Sequence, residues 1–178
     1  MSNVVYLNSW KARQNNTSHK QKAYSLYLQA SKLDTSSETM MEAQNLYKMA
    51  LTLDPKLSLA YTNLGNIRFR LNDFVGAENS YQQAVAISPD QPEALYNLGY
   101  IALDQRNYCA AWNWLKRAIA SDPTFADAHF NLAMTLDHLN RHGEARVHWR
   151  RFLHLEPSGN WADVARRNVN IENNGVVQ

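Results

Sequence analysis

Tyr61-Thr62-Asn63-Leu64-Gly65, Leu95-Tyr96-Asn97-Leu98-Gly99 and His129-Phe130-Asn131-Leu132-Ala133 are one five-residue pattern written three times, at intervals of 34 residues. Working outward, other positions keep the same interval: Ala77, Ala111 and Ala145; Tyr81, Leu115 and Trp149; Ala84, Ala118 and Phe152. Pro89, Pro123 and Pro157 follow suit, with Pro55 one period earlier. A fixed period of this size marks an array of stacked units, each burying its apolar face on its neighbours. Such arrays usually work through their surfaces.

Within each copy, apolar and small residues recur at spacings of 3, 4 and 7, the helical period. Each copy reads as two helices joined by a short turn. The predicted spans are 58–71 and 74–87, 92–105 and 108–121, and 126–139 and 142–155. Proline closes each unit, because it cannot continue a helix and it pushes the preceding residue out of the helical region. Those preceding residues are Asp54, Ser88, Asp122 and Glu156. Asn72 and Asn140 sit at the turn between the two helices, where a left-handed residue is often required and Asn tolerates it. Arg106 holds that place in the third repeat, so a differently built turn is expected there.

The pattern resembles the tetratricopeptide repeat (TPR) family over residues 22–157. The resemblance implies an all-α fold: helix-turn-helix repeats stacked as a right-handed α-solenoid with a C-terminal capping helix. The expected organisation is a basic, partly flexible leader (1–20), four repeats (21–157), a capping helix (158–171) and a flexible tail (172–178). The first repeat is degenerate. Leu26, Ala30 and Leu33 mark its first helix, and Ala43, Tyr47, Ala50 and Leu51 its second; Asp34-Thr35-Ser36-Ser37 fits as turn and helix cap. Arg68 departs from the family pattern, which has an apolar or aromatic residue there. Either Phe69 takes over the packing, or the arginine stem lies along the interface with its head in water. Beyond Pro157, Trp161, Val164, Ala165 and Val169 share one helical face, as a cap over the last repeat requires.

Composition narrows the functional classes. The 178 residues are 45% hydrophobic with 6 Gly and 5 Pro, enough for a core and poor in loop formers. A net charge of +2 does not by itself call for a polyanionic partner. Cys109 is the single cysteine, so an internal disulfide is excluded and a reducing compartment fits. No apolar run approaches the roughly 20 residues that span a bilayer. Val4-Val5-Tyr6-Leu7 is too short for the core of a secretory signal, so a cytoplasmic location and no membrane partner are expected. The first 33 residues stand apart: Lys11, Arg13, Lys20, Lys22 and Lys32 are accompanied by no acid. Val4, Val5, Tyr6, Leu7 and Trp10 add a small apolar patch. This segment is either a leader packed on the first helix or a recognition segment, one reading being homo-oligomer formation or self-inhibition through residues 1–20.

Chemistry-bearing clusters are sparse. Five of the six histidines fall between 129 and 154. His138 and His142 straddle a predicted turn, while His148 and His154 diverge on a helix, so no ligand set forms. Glycine-rich phosphate loops are absent. No catalytic residue, cofactor or metal is expected, and Cys109 reads as a packed or surface thiol.

The resemblance places the residues 2, 5, 6, 9 and 12 positions into each repeat on a concave, partner-binding side, and these positions share one helical face. In the second repeat they are Leu59, Thr62, Asn63, Asn66 and Phe69. In the third they are Glu93, Tyr96, Asn97, Tyr100 and Leu103, and in the fourth Asp127, Phe130, Asn131, Met134 and Asp137. The expected groove is apolar and aromatic in the middle with acid at its rim. Tyr96, Tyr100, Phe130 and Met134 are candidate anchors. Asn63, Asn97 and Asn131 form a ladder whose amides suit a peptide backbone, although Asn is common there in the family whatever is bound. The carboxylate clamp of chaperone-binding relatives is excluded. Asn66 and Asn97 match it, but Thr62 and Asp127 stand where it needs lysines and Asn131 where it needs arginine.

On the other side, Lys116 and Arg117 recur as Arg150 and Arg151, with Arg146, Arg166 and Arg167 nearby. Trp114 is expected on the outer face beside them, either exposed as a contact residue or packed laterally on the neighbouring repeat. This convex candidate reads as helix-terminal charge and solubility, or as a surface for an acidic partner or nucleic acid. The functional expectation is a non-enzymatic adaptor holding an extended or helical segment of a protein partner in its groove. The alternatives are a secretion-type chaperone, a sensory module of a bacterial regulatory pathway, and a nucleic-acid or acidic-surface binder.

Overall fold

The computed structural model describes residues 2–170, and the side chains of residues 16–170. The apolar patch Val4–Trp10 therefore lies outside the described side chains, and the tail 172–178 outside the described residues. Among the described residues there are nine helices and no strand: α1 (Ser2–Leu33), α2 (Met40–Leu53), α3 (Ser58–Arg70), α4 (Phe74–Ile87), α5 (Pro92–Asp104), α6 (Tyr108–Ser121), α7 (Ala126–His138), α8 (His142–Leu155) and α9 (Asn160–Asn170). From α3 onward the bounds fall within a residue of those predicted from the period. Residues 2–20, expected as a separate leader, continue without a break into the first repeat helix as one element, α1.

The helices group into two compact units, Met1–Pro89 with α1–α4 and Asp90–Gln178 with α5–α9. In the first unit Ala30, Met40, Ala43, Tyr47, Ala60, Leu64 and Ile67 form the core. In the second, Leu115, Phe130, Leu132, Leu136, Trp149 and Phe152 are buried together, with Ala165 of α9 joining them. Small residues let paired helices approach. A Cβ on Gly99 would stand 2.6 Å from Leu115 Cγ, which is closer than packed carbons come.

Each turn between paired helices is the same device. Asn72, Arg106 and Asn140 all adopt left-handed conformations, with φ of 60°, 59° and 58°. In each, the next residue's N–H reaches back to the helix: Asp73 to Arg68 O at 2.9 Å, Asn107 to Ala102 O at 2.8 Å, Arg141 to Leu136 O at 2.8 Å. This is the Schellman closure, which satisfies carbonyls the helix end would otherwise leave unpaired. The expectation of a different turn at Arg106 is thus corrected. Six residues must be spanned in every repeat, and the backbone pairing imposes the left-handed residue whatever its side chain. The following helices begin on side-chain caps in two repeats: Asp73 accepts from Gly76 N at 2.9 Å and Asn107 from Ala110 N at 3.2 Å. Arg141 stands there in the fourth repeat and instead forms a two-point pair with Glu144, both contacts at 2.7 Å.

Arg68 also departs from expectation. Its half-buried head is held by the protein: Nη1 donates to Gly76 O at 3.0 Å and to Ser80 Oγ at 2.7 Å, crossing from α3 to α4. Gly76 O and Ser80 Oγ offer two acceptors side by side, and a guanidinium with several donors can be satisfied there. Phe69 packs edge-on against Phe74, with ring centroids 5.2 Å apart.

Candidate functional site

Residues of all five helices of the second unit, chiefly α5 and α7, and of the α5–α6 turn line a cavity of about 860 Å³. Tyr96, Tyr100 and Leu103 come from α5, and Phe130, Asn131 and Met134 from α7. Their spacing of 3 or 4 residues puts each set on one helical face. Asp104, Arg106 and Tyr108 stand at the α5–α6 turn, His138 ends α7, and Trp161 opens α9. Seven of the groove positions selected from the sequence, Asp127 among them, are therefore brought together here.

They do not all offer free side chains. Phe130 is buried and meets Trp149, Phe152 and Trp161 edge-on, with centroids 4.8–5.2 Å apart. Asn131 is buried too, and its Nδ2 donates to Tyr96 OH at 3.2 Å across α7 and α5. Burial pushes the Tyr96 phenol up to about 12, and the charge of Asp127 acts in the same direction. Phe130, Asn131 and Tyr96 are thus the braced wall. Tyr100 is 40% exposed and Trp161 65% exposed, so large apolar surface faces the opening. Tyr108 and His138 stack beside it, 4.5 Å between centroids.

The residues selected in the first unit have a different character. Thr62 is buried, at 3% exposure. Asn63 Nδ2 donates to Tyr47 OH at 2.9 Å, and Asn66 Oδ1 accepts from Tyr81 OH at 2.8 Å. Asn97 is half-buried in the second unit and is also engaged. At Asn63 and Asn131 the asparagine ladder braces a neighbouring tyrosine. Asp137, expected at an acidic rim, accepts from Trp149 Nε1 at 2.8 Å and lies 2.9 Å from His142 Nδ1.

Trp161 was expected on the buried face of the cap. Ala162 and Ala165 are the buried residues of α9, while Val164 and Val169 pack at the margin of the core. The ridge is set one residue further along, which turns Trp161 at the first turn toward the cavity. Nothing in the 34-residue period covers that position, so its exposure was not legible.

On the opposite side, Trp114 is half-buried and packs at the margin of the core, the lateral of its two expected placements, with the Arg117 guanidinium 4.9 Å from its ring centre. The sequence reading passed over Trp112, which lies between Lys116 at 4.9 Å and Arg141 at 5.0 Å. The i, i+4 spacing of Trp112 and Lys116 was the available signal. Arg151 donates to Pro123 O at 3.3 Å, and Arg166 pairs with Asp163 at 2.5 Å. Arg150 is exposed. Lys116 and Arg117 thus lie over indole faces, while Arg151 and Arg166 meet local partners.

A histidine pair was also missed. His129 Nδ1 and His148 Nδ1 are 2.9 Å apart, between α7 and α8. His129 Nε2 lies 3.2 Å from Pro123 O and serves as the donor to it. Its Nδ1 then accepts from Nδ1–H of His148, with both rings neutral. Burial holds His129 below its ordinary value and pushes His148 down to about 4. Among the described residues no group of three or more metal-binding side chains converges, and no helix is long and apolar enough to cross a membrane.

Three models described as TPR or tetratricopeptide repeats match residues 65–105, 92–125 and 114–147. No curated protein matches significantly. Among solved structures, YrrB, described as a TPR protein with an unusual peptide-binding site, is 23% identical with a TM-score of 0.69, over 82% of this chain and 73% of that one. A MamA structure is 23% identical, TM-score 0.68, over 80% and 81% of the two chains. MamA from Desulfovibrio magneticus is 17% identical, TM-score 0.71, over 85% of each. At these identities the likeness is one of fold.

Proposed function

Because the chain belongs to the tetratricopeptide repeat family, whose members act in protein–protein interaction, we propose that it is a non-enzymatic adaptor that holds a segment of a protein partner in the cavity of its second unit. The observation that carries this reading is the exposure of Tyr100 and Trp161 over a braced aromatic wall. The core does not need either ring exposed, and large rings left beside a concavity are where binding energy concentrates. YrrB, with the same fold, is described as having a peptide-binding site, which gives the reading a precedent.

Mutagenesis should avoid the wall. Tyr96→Ala or Phe130→Ala would disturb the core along with any binding. Tyr100→Ala and Trp161→Ala are each expected to weaken the partner by about 1–3 kcal/mol with helicity and melting essentially unchanged. The test is a peptide-display selection on the full-length chain, followed by affinity measurement on both variants. Ligands that emerge and are insensitive to both changes would move the site elsewhere.

A further inference from the structure

The cavity of the second unit is acidic at one end, and the spacing between its carboxylates and its exposed rings limits what it can hold. We propose that the partner segment is extended and basic, with a lysine or arginine held at Asp127 and a large apolar side chain, two residues away, seated against Tyr100 and Trp161. This rests on the proposed function and names the class of partner for that same site.

α5 and α7 run in the same direction along the cavity, because Asn131 meets Tyr96 while His138 meets Tyr108, just beyond the end of α5. Their first turns therefore lie at one end and their last turns at the other. Asp127, the second residue of α7, is exposed. Beyond the effect of burial, its charge pushes the Tyr96 phenol up, so it stands near that ring. Glu93, the second residue of α5, is exposed one turn before Tyr96 on the same helical face. Among the described residues neither carboxylate has a hydrogen-bond or ion-pair partner. A helix N-terminus accommodates an acid well, but the repeat does not require one, since Leu59 holds the same position in α3. The basic side chains of the lining, Arg106 and His138, stand at the far end with Asp104. That end carries both signs, whereas at the first-turn end Asp127 and Glu93 face no base of the lining.

The spacing of the occupant follows from the rings. Tyr96 and Tyr100 have centroids 6.4 Å apart. An extended chain covers about 6.6 Å in two residues, and side chains two residues apart point the same way. A base placed at Asp127 beside Tyr96 therefore brings the side chain two residues away over Tyr100, which is 40% exposed. Trp161, packed edge-on against Phe130, adds its exposed indole to the same seat. The carboxylates steer and orient the segment, while apolar burial on the two rings supplies most of the affinity. An acidic segment is repelled at the same end, which adds discrimination.

Three end-capped dodecapeptides, labelled for fluorescence anisotropy, test this on the full-length chain. They share a central tryptophan and differ only at the residues two before and two after it, which are lysine, glutamine or glutamate. The lysine peptide should bind about tenfold more tightly than the glutamine peptide, with the glutamate peptide weakest. Asp127→Asn with Glu93→Gln keeps side-chain size and should erase this preference, and Asp127→Lys should reverse it. Glu144→Lys makes the same change of charge on the Trp112 face and should leave the order intact. Added salt should shrink the lysine preference and leave the glutamine peptide nearly unaffected. The proposal is overturned by a lysine peptide that does not bind, that binds no better than the glutamine peptide, or that keeps its preference without Asp127 and Glu93. The adaptor reading fails separately. If displayed peptides require Tyr100 and Trp161 but show no preference for bases, only the charge assignment is wrong.

Discussion

Arg106 shows how a backbone device can overrule a side chain. An L-residue in the left-handed region costs about 1–2 kcal/mol, and Asn bears the conformation more easily. Arg106 takes it anyway, because two turn hydrogen bonds depend on it. Arg106→Asn is therefore expected to raise stability by about 0.5–1 kcal/mol. A higher urea midpoint with an unchanged slope would confirm it, and a fall would mean that the guanidinium makes a stabilising contact. The residue scale is also where sequence reading ran short. The 34-residue period identified Asn63 and Asn131 as a ladder but not their partners, Tyr47 and Tyr96, which lie 16 and 35 residues away. A repeat specifies which face a residue occupies; whether its amide is free depends on the neighbouring helix.

Paired helices are the scale at which the sequence was most legible. Their bounds followed from proline, period and turn residues, since all three are local signals. Contacts across a hairpin were less so, although His129 and His148 are nearly equidistant from the turn at Leu139 and so lie opposite one another. This pair carries a pH dependence. Burial favours the neutral rings, so the folded values lie below the ordinary histidine value of about 6.5. Between about pH 4 and 6.5 the unfolded chain then binds more protons than the folded one, and stability rises with pH. The contribution is complete above about 6.5 and is lost as pH falls toward 4. Urea unfolding at pH 7 and pH 5 should show lower stability at pH 5, and His148→Gln should flatten that difference. An unchanged slope in the variant would assign the effect to carboxylates instead.

For the whole molecule, what distinguishes the second unit is a concavity with exposed rings and carboxylates on one side, and cations laid over tryptophans on the other. The sequence anticipated the fold and seven of the cavity residues, because both follow from one period. It missed Trp161, which lies beyond the last repeat, and it could not see Arg117 and Arg141 settling on indole rings. The central claim is that the partner sits in the cavity rather than on the cationic face. The most direct measurement is site-specific photocrosslinking from the full-length protein in its native cell. A photoreactive phenylalanine analogue replaces Tyr100 in one sample and Arg150 in another, and the adducts are mapped to residues by mass spectrometry. The account predicts a discrete adduct from position 100, mapping to a short segment of a protein, and none from position 150. Adducts from position 150 alone would contradict it.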